Sequence, residues 1–296
     1  MRREPQVAAG VLYLVATPIG NLSDVSFRAL EVLKSVDAIA CEDTRHSRPL
    51  LDHYGIDRPL IALHEYNEDS RSARLAERLL AGDSIALVSD AGTPLINDPG
   101  YPLVRAARAA GIRVSPVPGP CALIAALSAS GLPSHRFTYE GFPPRKSSAR
   151  KSFFAALKDD ARTLIFYESS HRVLETLRDL ASVFPAGRRL VLARELTKRY
   201  ETLVDTTVGG AEALLAAAAE MRLGEFVVLV EGAPSTAATA VLTPQQARIL
   251  GILLRDHPLK TAVALTVEIS GARRELVYRE ALRLSGREGT SVEATD

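Results

Sequence analysis

The sequence predicts an α/β protein, two α/β domains followed by a small helical segment, and three observations carry that expectation. Short β-branched or apolar runs alternate with stretches of helical periodicity from residue 11 onward, the pattern of largely parallel strands connected by helices. Gly and Pro breakers interrupt the alternation near residue 130, and the Ala/Ser/Thr/Pro-rich stretch APSTAATA interrupts it again at 233–240. At 296 residues the chain is long enough for about two domains with real apolar cores.

In the first domain, 11–130, VLYLVA (11–16) is a buried strand, and Ser23 or Asp24 caps a helix whose inward face carries Phe27, Leu30 and Leu33. DAIAC (37–41) is the next strand, followed by a helix ending near Gly55, the strand PLIAL (59–63), a helix around 71–81 and the strand SIALVS (84–89). The turn-rich segment SDAGTPLINDPG (89–100) leads into a helix with Leu103, Val104 and Ala107 on one side. The strand IRVSPV (112–117) and the rigid turn PGP then precede an apolar helix. In the second domain, 131–232, a short aromatic strand sits within 130–146. TLIFYE (163–168), RLVLAR (189–194) and EFVVLVE (225–231) are strands separated by helical patterns at 170–182 and 210–221. Residues 233–242 read as a linker and 285–296 as a frayed tail. Between them, 243–284 reads as three helices broken at His257-Pro258 and Ser270-Gly271, similar to a helix-turn-helix. Seven cations against four carboxylates give this segment a net +3, which suits either phosphate contact or a solvated docking module.

Composition excludes several classes. Hydrophobic residues at 47% and charged residues at 24% are those of an ordinary globular chain. Lys plus Arg (36) nearly balance Asp plus Glu (35), so contact with nucleic acid has to come from local patches. Cys41 and Cys121 lie far apart without CxxC or Cys/His spacing, which predicts no metal site, no disulfide framework and a reducing, cytoplasmic setting. There is no run of about 18 apolar residues and no apolar signal core after MRREPQV, so the expectation is neither a spanning nor an exported protein.

The segments that follow strands carry the chemistry, because ligands of α/β sheets gather beyond the carboxyl ends of strands. Thr17-Pro18-Ile19-Gly20-Asn21-Leu22 supplies one glycine where a dinucleotide loop needs three, and no Walker-type Gly-Lys-Ser/Thr is present. Cys41-Glu42-Asp43-Thr44-Arg45 sets two carboxylates, a hydroxyl and a guanidinium at a helix start, fit either for capping or for a proton acceptor beside an anion clamp. Ser89-Asp90-Ala91-Gly92-Thr93-Pro94 lets a ligand approach the backbone at Gly92. The prolines around Gly119 leave the N–H groups of Cys121 and Ala122 at a helix start. FYESSHR (166–172) and RELTKR (194–199) leave strands of the second domain and can face the first as ligand-lining segments, or serve as a cap and a solvated charge run. Arg145, Lys146, Arg150 and Lys151 form a basic cluster suited to an RNA backbone or to solubility. No G-x-S-x-G elbow supports a hydrolase triad.

Taken in order, TPIGNLSD, CEDTR, SDAGTPLINDPG, PGPCA, SGLP, EGFPPRK, YESSHR, RELTK and GEFVVLVEG resemble the ribosomal-RNA branch of the tetrapyrrole (corrin/porphyrin) methylase family over residues 11–232. The terminal helices are similar to the extension such proteins carry. The resemblance implies a two-domain fold with S-adenosylmethionine in the cleft between the domains, a homodimer, and 2′-O-methylation of a cytidine ribose in small-subunit ribosomal RNA in the assembled subunit. Motif by motif it implies cofactor contacts at Ile19, Gly92, Thr93, Ile96, Cys121, Ala122, Tyr167 and Leu196. Two departures stand out: Cys121 replaces the Ser common after PGP, and Ser170 replaces the Pro of an ESPHR-like motif. Tetrapyrrole-specific members usually carry a GPGD-like first loop, whereas TPIGN stands here.

A ribose hydroxyl is a poor nucleophile at neutral pH, so a proton acceptor is expected. Glu42 or Asp43 is the expected acceptor, with Arg45 and Lys198 holding phosphate or developing charge. Competing expectations are a tetrapyrrole or protein-side-chain methyltransferase with the same cofactor site, and a DNA-binding regulator whose α/β part senses a metabolite.

Overall fold

The computed structural model of the chain describes residues 7–217, 219–234 and 242–285. Most of the expected linker (235–241) and nearly all of the expected tail (286–296) lie outside the described residues. The chain divides into two compact units, Met1–Ala233 and Pro234–Asp296, and the first holds two five-stranded sheets.

The first sheet is built from β1 (Val11–Val15), α1 (Phe27–Ser35), β2 (Ala38–Cys41), α2 (Thr44–His53), β3 (Leu60–Ala62), α3 (Glu68–Leu80), β4 (Ile85–Val88), α4 (Tyr101–Ala109) and β5 (Arg113–Val117). Its strands are all parallel in the order β3-β2-β4-β1-β5. Parallel pairing forces a crossover at each connection, and the helices bury both faces. Strand β1 shows the consequence: Val11, Tyr13 and Val15 join Val32, Leu33 and Leu51 on one face, while Leu12 and Leu14 join Leu75, Leu79, Leu103 and Ala107 on the other. Both sides of the central strands therefore have to be apolar, which is why β1, β2 and β4 are uninterrupted apolar runs in the sequence. Helix α1 corrects one expectation. Ser26, not Ser23 or Asp24, accepts the capping bond from Ala29 N–H, so the helix begins later, Ala29, Val32 and Leu33 face the core, and Phe27 is 88% exposed.

Helix α5 (Ala122–Ala129) leads to the second sheet, made of β6 (Phe137–Tyr139), α6 (Ser147–Leu157), β7 (Thr163–Ser169), α7 (Val173–Ala181), β8 (Arg189–Arg194), β9 (Thr202–Thr207), α8 (Val208–Ala217) and β10 (Glu225–Val230). The order is β6-β7-β10-β8-β9, and only β6–β7 is parallel. The parallel expectation thus fails for this half. The loop 195–201 joins β8 to β9 as an antiparallel hairpin, and β10 inserts antiparallel between β7 and β8. Helices α6, α7 and α8 cover one face of this sheet through Phe154, Leu177, Leu180, Ala211 and Leu215. The opposite face, with Ile165, Val191, Ala193, Val227 and Leu229, receives Leu123, Ala126 and Leu127 of α5. An apolar helix leaving the first sheet is therefore buried on the second, so α5 joins the two sheets.

The second unit contains α9 (Pro244–Asp256), α10 (Leu259–Ser270) and α11 (Arg274–Leu284) around Leu250, Ala262, Val263, Val277 and Ala281. A Thr243–Gln246 capping box starts α9 and left-handed Gly271 ends α10, so the breaks fall at the expected His257-Pro258 and Ser270-Gly271.

Arg150 corrects the expected basic cluster, since its side chain is 1% exposed and its guanidinium pairs with Asp179 at 2.6 Å. It also donates to the Arg145 carbonyl at 3.1 Å, which ties α6 and α7 to the segment before α6. Burial alone would raise the Asp179 carboxyl, but hydrogen bonds from Ser147 and Arg150 and the charges of Arg150 and Lys151 outweigh it and hold it below its usual value. Replacing Arg150 by Ala strands a buried carboxylate, so urea unfolding of Arg150→Ala at pH 7 is expected to show a loss of about 3–5 kcal/mol. Because the folded Asp179 value is depressed, its contribution is present above the ordinary carboxylate range and disappears as pH falls through the lowered value. The stability gap between wild type and Asp179→Asn is accordingly expected to close in acid.

Candidate active site

The loops after β1, β4 and β5 are tied to one another by backbone and side-chain hydrogen bonds. Thr17 N–H donates to Gly92 O at 2.9 Å and Gly92 N–H returns the bond to Thr17 O at 3.0 Å. A glycine is required there, because φ is +84° and a Cβ would lie 3.3 Å from Ile19 Cγ2. Thr93 Oγ1 donates to Pro120 O at 3.0 Å, joining the second loop to the third. Cys121 N-caps α5 but makes no side-chain capping bond. A free donor at this helix start is used from the second sheet: Tyr167 Oη, on β7, accepts from Leu123 N–H at 3.0 Å.

Four non-glycine residues have positive φ among the described residues, Leu95 (72°), Asn97 (71°), Glu195 (50°) and Thr197 (66°). They form two pairs, each flanking one residue, Ile96 or Leu196. This conformation is strained for Leu and for β-branched Thr. Local bonds hold it: Asn97 Oδ1 accepts from Tyr139 Oη at 2.9 Å, and Glu201 accepts from Thr197 N–H at 2.6 Å. Tyr139 and Phe142 pack edgewise on the Tyr167 ring at 4.9 and 5.8 Å. The Phe142 segment is fixed from behind, with Pro143 O accepting from Arg172 and Arg145 O from Arg150.

These loops enclose a cavity of about 340 Å³. Ile19, Ile96, Leu196, Phe226 and Val227 are among its apolar walls, with Gly92, Thr93, Cys121, Ala122 and Tyr167 between them. Four carboxylates, Asp90, Asp98, Glu168 and Glu225, line it, and among the described residues no Lys, Arg or His does.

Residues 11–212 match the family described as Tetrapyrrole (Corrin/Porphyrin) Methylases, and residues 240–285 match the RsmI C-terminal HTH domain. The chain belongs to the tetrapyrrole methylase family. Proteins named Ribosomal RNA small subunit methyltransferase I are 54% identical in Xylella fastidiosa strain Temecula1 (91% of this chain, 98% of the relative) and 51% identical in Pseudomonas aeruginosa (95% and 100%). That of Escherichia coli O157:H7 is 52% identical (94% and 96%). The uroporphyrin-III-C-methyltransferase of Thermus thermophilus, at 23% identity, shares the fold with a TM-score of 0.54 over 75% of this chain and 94% of its own. The methyltransferase CobJ, at 20% identity, does so with a TM-score of 0.56 over 75% of this chain and 94% of its own. This tetrapyrrole methylase is thus a methyltransferase.

All eight positions expected to hold the methylase cofactor line the one cavity. Glu42, Asp43, Arg45 and Lys198, expected to act in catalysis, are not among the lining residues. Asp43 caps α2 by accepting from Arg45 N–H at 2.8 Å and pairs with the Arg45 side chain at 2.7 Å, itself 90% exposed. Those hydrogen bonds lower the Asp43 carboxyl to about 2. Lys198 is likewise not an open cation, since its ammonium binds Glu195 at 2.9 Å and Glu225 at 2.8 Å. Its stem crosses Gly20, where a Cβ would meet Lys198 Cγ at 2.4 Å, so it joins the first loop to the turn after β8.

Sequence reasoning singled out neither Asp98 nor Phe142 in this methylase, and placed Glu168 only within the candidate lining segment FYESSHR. The DPG turn hid Asp98 among turn-forming residues, and only the long spacing from β4 to α4, more than a turn requires, hinted at a lining loop. Burial, with the charges of Glu42 and Asp90, pushes the Asp98 carboxyl up to about 6, against a hydrogen bond from Ser89. Burial and the charges of Asp90, Glu65 and Asp43 also raise Glu42. Glu168 is buried and accepts from Thr176 at 2.6 Å and Ser169 N–H at 2.9 Å.

The Tyr167 bond gives a direct check of how the methylase holds its α5 start. Tyr167→Phe leaves Leu123 N–H without its acceptor, and urea denaturation is expected to show a loss of about 1 kcal/mol. Amide exchange at Leu123 is expected to accelerate with it.

Proposed function

We propose that the cavity binds S-adenosylmethionine and that the enzyme transfers its methyl group to the 2′-oxygen of a cytidine ribose in small-subunit ribosomal RNA. The observation that carries the cofactor reading is the charge of the lining, four carboxylates without a cation. A sulfonium and an ammonium are stabilised in such surroundings, whereas a phosphate-bearing cofactor is repelled. Glu168 pairs with Arg172 and Glu225 with Lys198, which leaves Asp90 and Asp98 without an ion-pair partner among the described residues. Ile19, Ile96, Leu196 and Val227 suit the faces of an adenine ring, and the backbone at Gly92, Cys121 and Ala122 suits its polar edges. When bound, the donor supplies a methyl group activated by positive sulfur.

The RNA reading rests on the names of the relatives and on the rim of the cavity. Phe142 is 49% exposed beside the cavity on a segment held from behind, a geometry suited to stacking an unpaired base. Arg145 and Lys146, exposed on the same segment, suit flanking phosphates. The net +3 of residues 243–284 suits further phosphate contact. The same reading includes a homodimer in the cytoplasm. Buried Arg194 gathers the carbonyls of Tyr200, Glu220 and Leu223, so the exposed Tyr200 and Leu223 lie together and offer apolar surface to a second copy.

Small subunits from cells lacking the enzyme, incubated with radiolabelled S-adenosylmethionine, are expected to carry the label on RNA in an alkali-resistant dinucleotide containing cytidine. Label on a base, on protein or on an added tetrapyrrole contradicts the reading. Replacing both Arg145 and Lys146 by Gln is expected to weaken subunit binding and to reduce the slope of log affinity against log salt by about 1.5.

A further inference from the structure

Methylating a hydroxyl requires somewhere for its proton to go, and the carboxylates at the strand ends differ in their capacity to receive it. Asp43 is committed to its cap and to Arg45, and neither it nor Glu42 lines the cavity. Glu168 accepts hydrogen bonds from Thr176 and Ser169 and pairs with Arg172 at 3.3 Å, Glu225 is held by Lys198, and Asp90 accepts from Asp43 N–H at 3.3 Å. Asp98 lines the cavity from the strained loop after β4, directly following left-handed Asn97. That loop is locked from both sides, by Tyr139 bonding Asn97 at 2.9 Å and by Glu68 accepting from Gly100 N–H at 2.8 Å. Its carboxyl is thus placed by rigid backbone without being consumed by an ion pair.

We infer that Asp98 is the proton acceptor for the attacking hydroxyl. The inference rests on the ribose-methylating reading above. As the oxygen–carbon bond forms and the carbon–sulfur bond breaks, the bonding pair stays on sulfur, which becomes a neutral thioether, and the hydroxyl proton passes to Asp98 and then to solvent. The groups facing Asp98 are Glu42 from the end of β2, Ser89 and Asp90 from the end of β4, and the phenols of Tyr139 and Tyr167. Its charged neighbours are carboxylates, so the proton-accepting form is less stable, and therefore more basic, than an exposed aspartate. A base of this strength is ionised at neutral pH yet keeps useful affinity for a proton.

Three measurements on the full-length protein test this. Carboxyl-carbon NMR of the ligand-free wild type is expected to show one aspartate titrating near pH 6 that is missing from Asp98→Asn, and the absence of that signal overturns the inference. In methylation of small subunits at saturating donor, Asp98→Asn is expected to lower kcat at least 100-fold and to lose the wild type's acid limb, while calorimetric affinity for S-adenosylmethionine changes by less than about fivefold. A kcat within threefold of wild type, or an affinity that falls as far as kcat, overturns it, the latter making Asp98 a donor-binding group. Wild-type protein that binds the donor but labels no RNA defeats the ribose reading instead, and this inference with it. If Asp98→Asn does not fold, the wild-type acid limb and NMR titration decide the matter, and a kcat flat between pH 5 and 8 counts against a carboxylate base.

Discussion

A parallel sheet closed on both faces can offer a ligand little beyond its strand ends, and here those ends are kept open because α5 is buried elsewhere. Leu123, Ala126 and Leu127 pack on the second sheet, and Tyr167 of that sheet accepts from Leu123 N–H in the first turn of the helix they belong to. The helix cap and the joint between the two sheets are therefore the same interaction. The ring that caps α5 also forms a cavity wall and supports Phe142 at its rim. Weakening that contact loosens the α5 start, the wall and the rim together.

Strain accumulates where the cavity is shaped. Leu95, Asn97, Glu195 and Thr197 hold left-handed backbone on either side of the two residues that enter the cavity from opposite sheets. Each position costs on the order of 1–3 kcal/mol. The surrounding hydrogen bonds, Tyr139 to Asn97 and Thr197 to Glu201, offset part of that cost and keep the loops rigid. Charge is managed in the same way. Among the lining carboxylates, Glu168 and Glu225 are paired by Arg172 and Lys198, which do not line the cavity, while Asp90 and Asp98 have no ion-pair partner among the described residues.

The sequence made the first sheet legible because strands buried on both faces are continuous apolar runs, as VLYLV and IALV show. The second sheet was less legible for particular reasons. TLVDTT alternates in burial at a sheet edge and reads as polar, so β9 escaped notice. Helix α6 turns a charged residue, Arg150, toward the core beside Phe154, which breaks the apolar period. The hairpin geometry after β8 and the insertion of β10 leave no local trace, so antiparallel pairing could not be told from crossover pairing. At α1, a capping serine three residues farther on rotated the whole helix face and sent Phe27 outward. In the site, motif order picked out eight residues that the structure brings to the lining of one cavity. The choice among neighbouring carboxylates depended on which were capped or ion-paired, and only the fold decides that.

Calorimetric titration of the full-length chain with S-adenosylmethionine tests the central claim most directly. Saturable binding of one donor per chain is expected, abolished by Gly92→Val, whose side chain meets Ile19 in a backbone conformation that valine resists. Absence of binding to the wild type, or undiminished binding to a folded Gly92→Val protein, would contradict a cavity built to hold the donor at the strand ends.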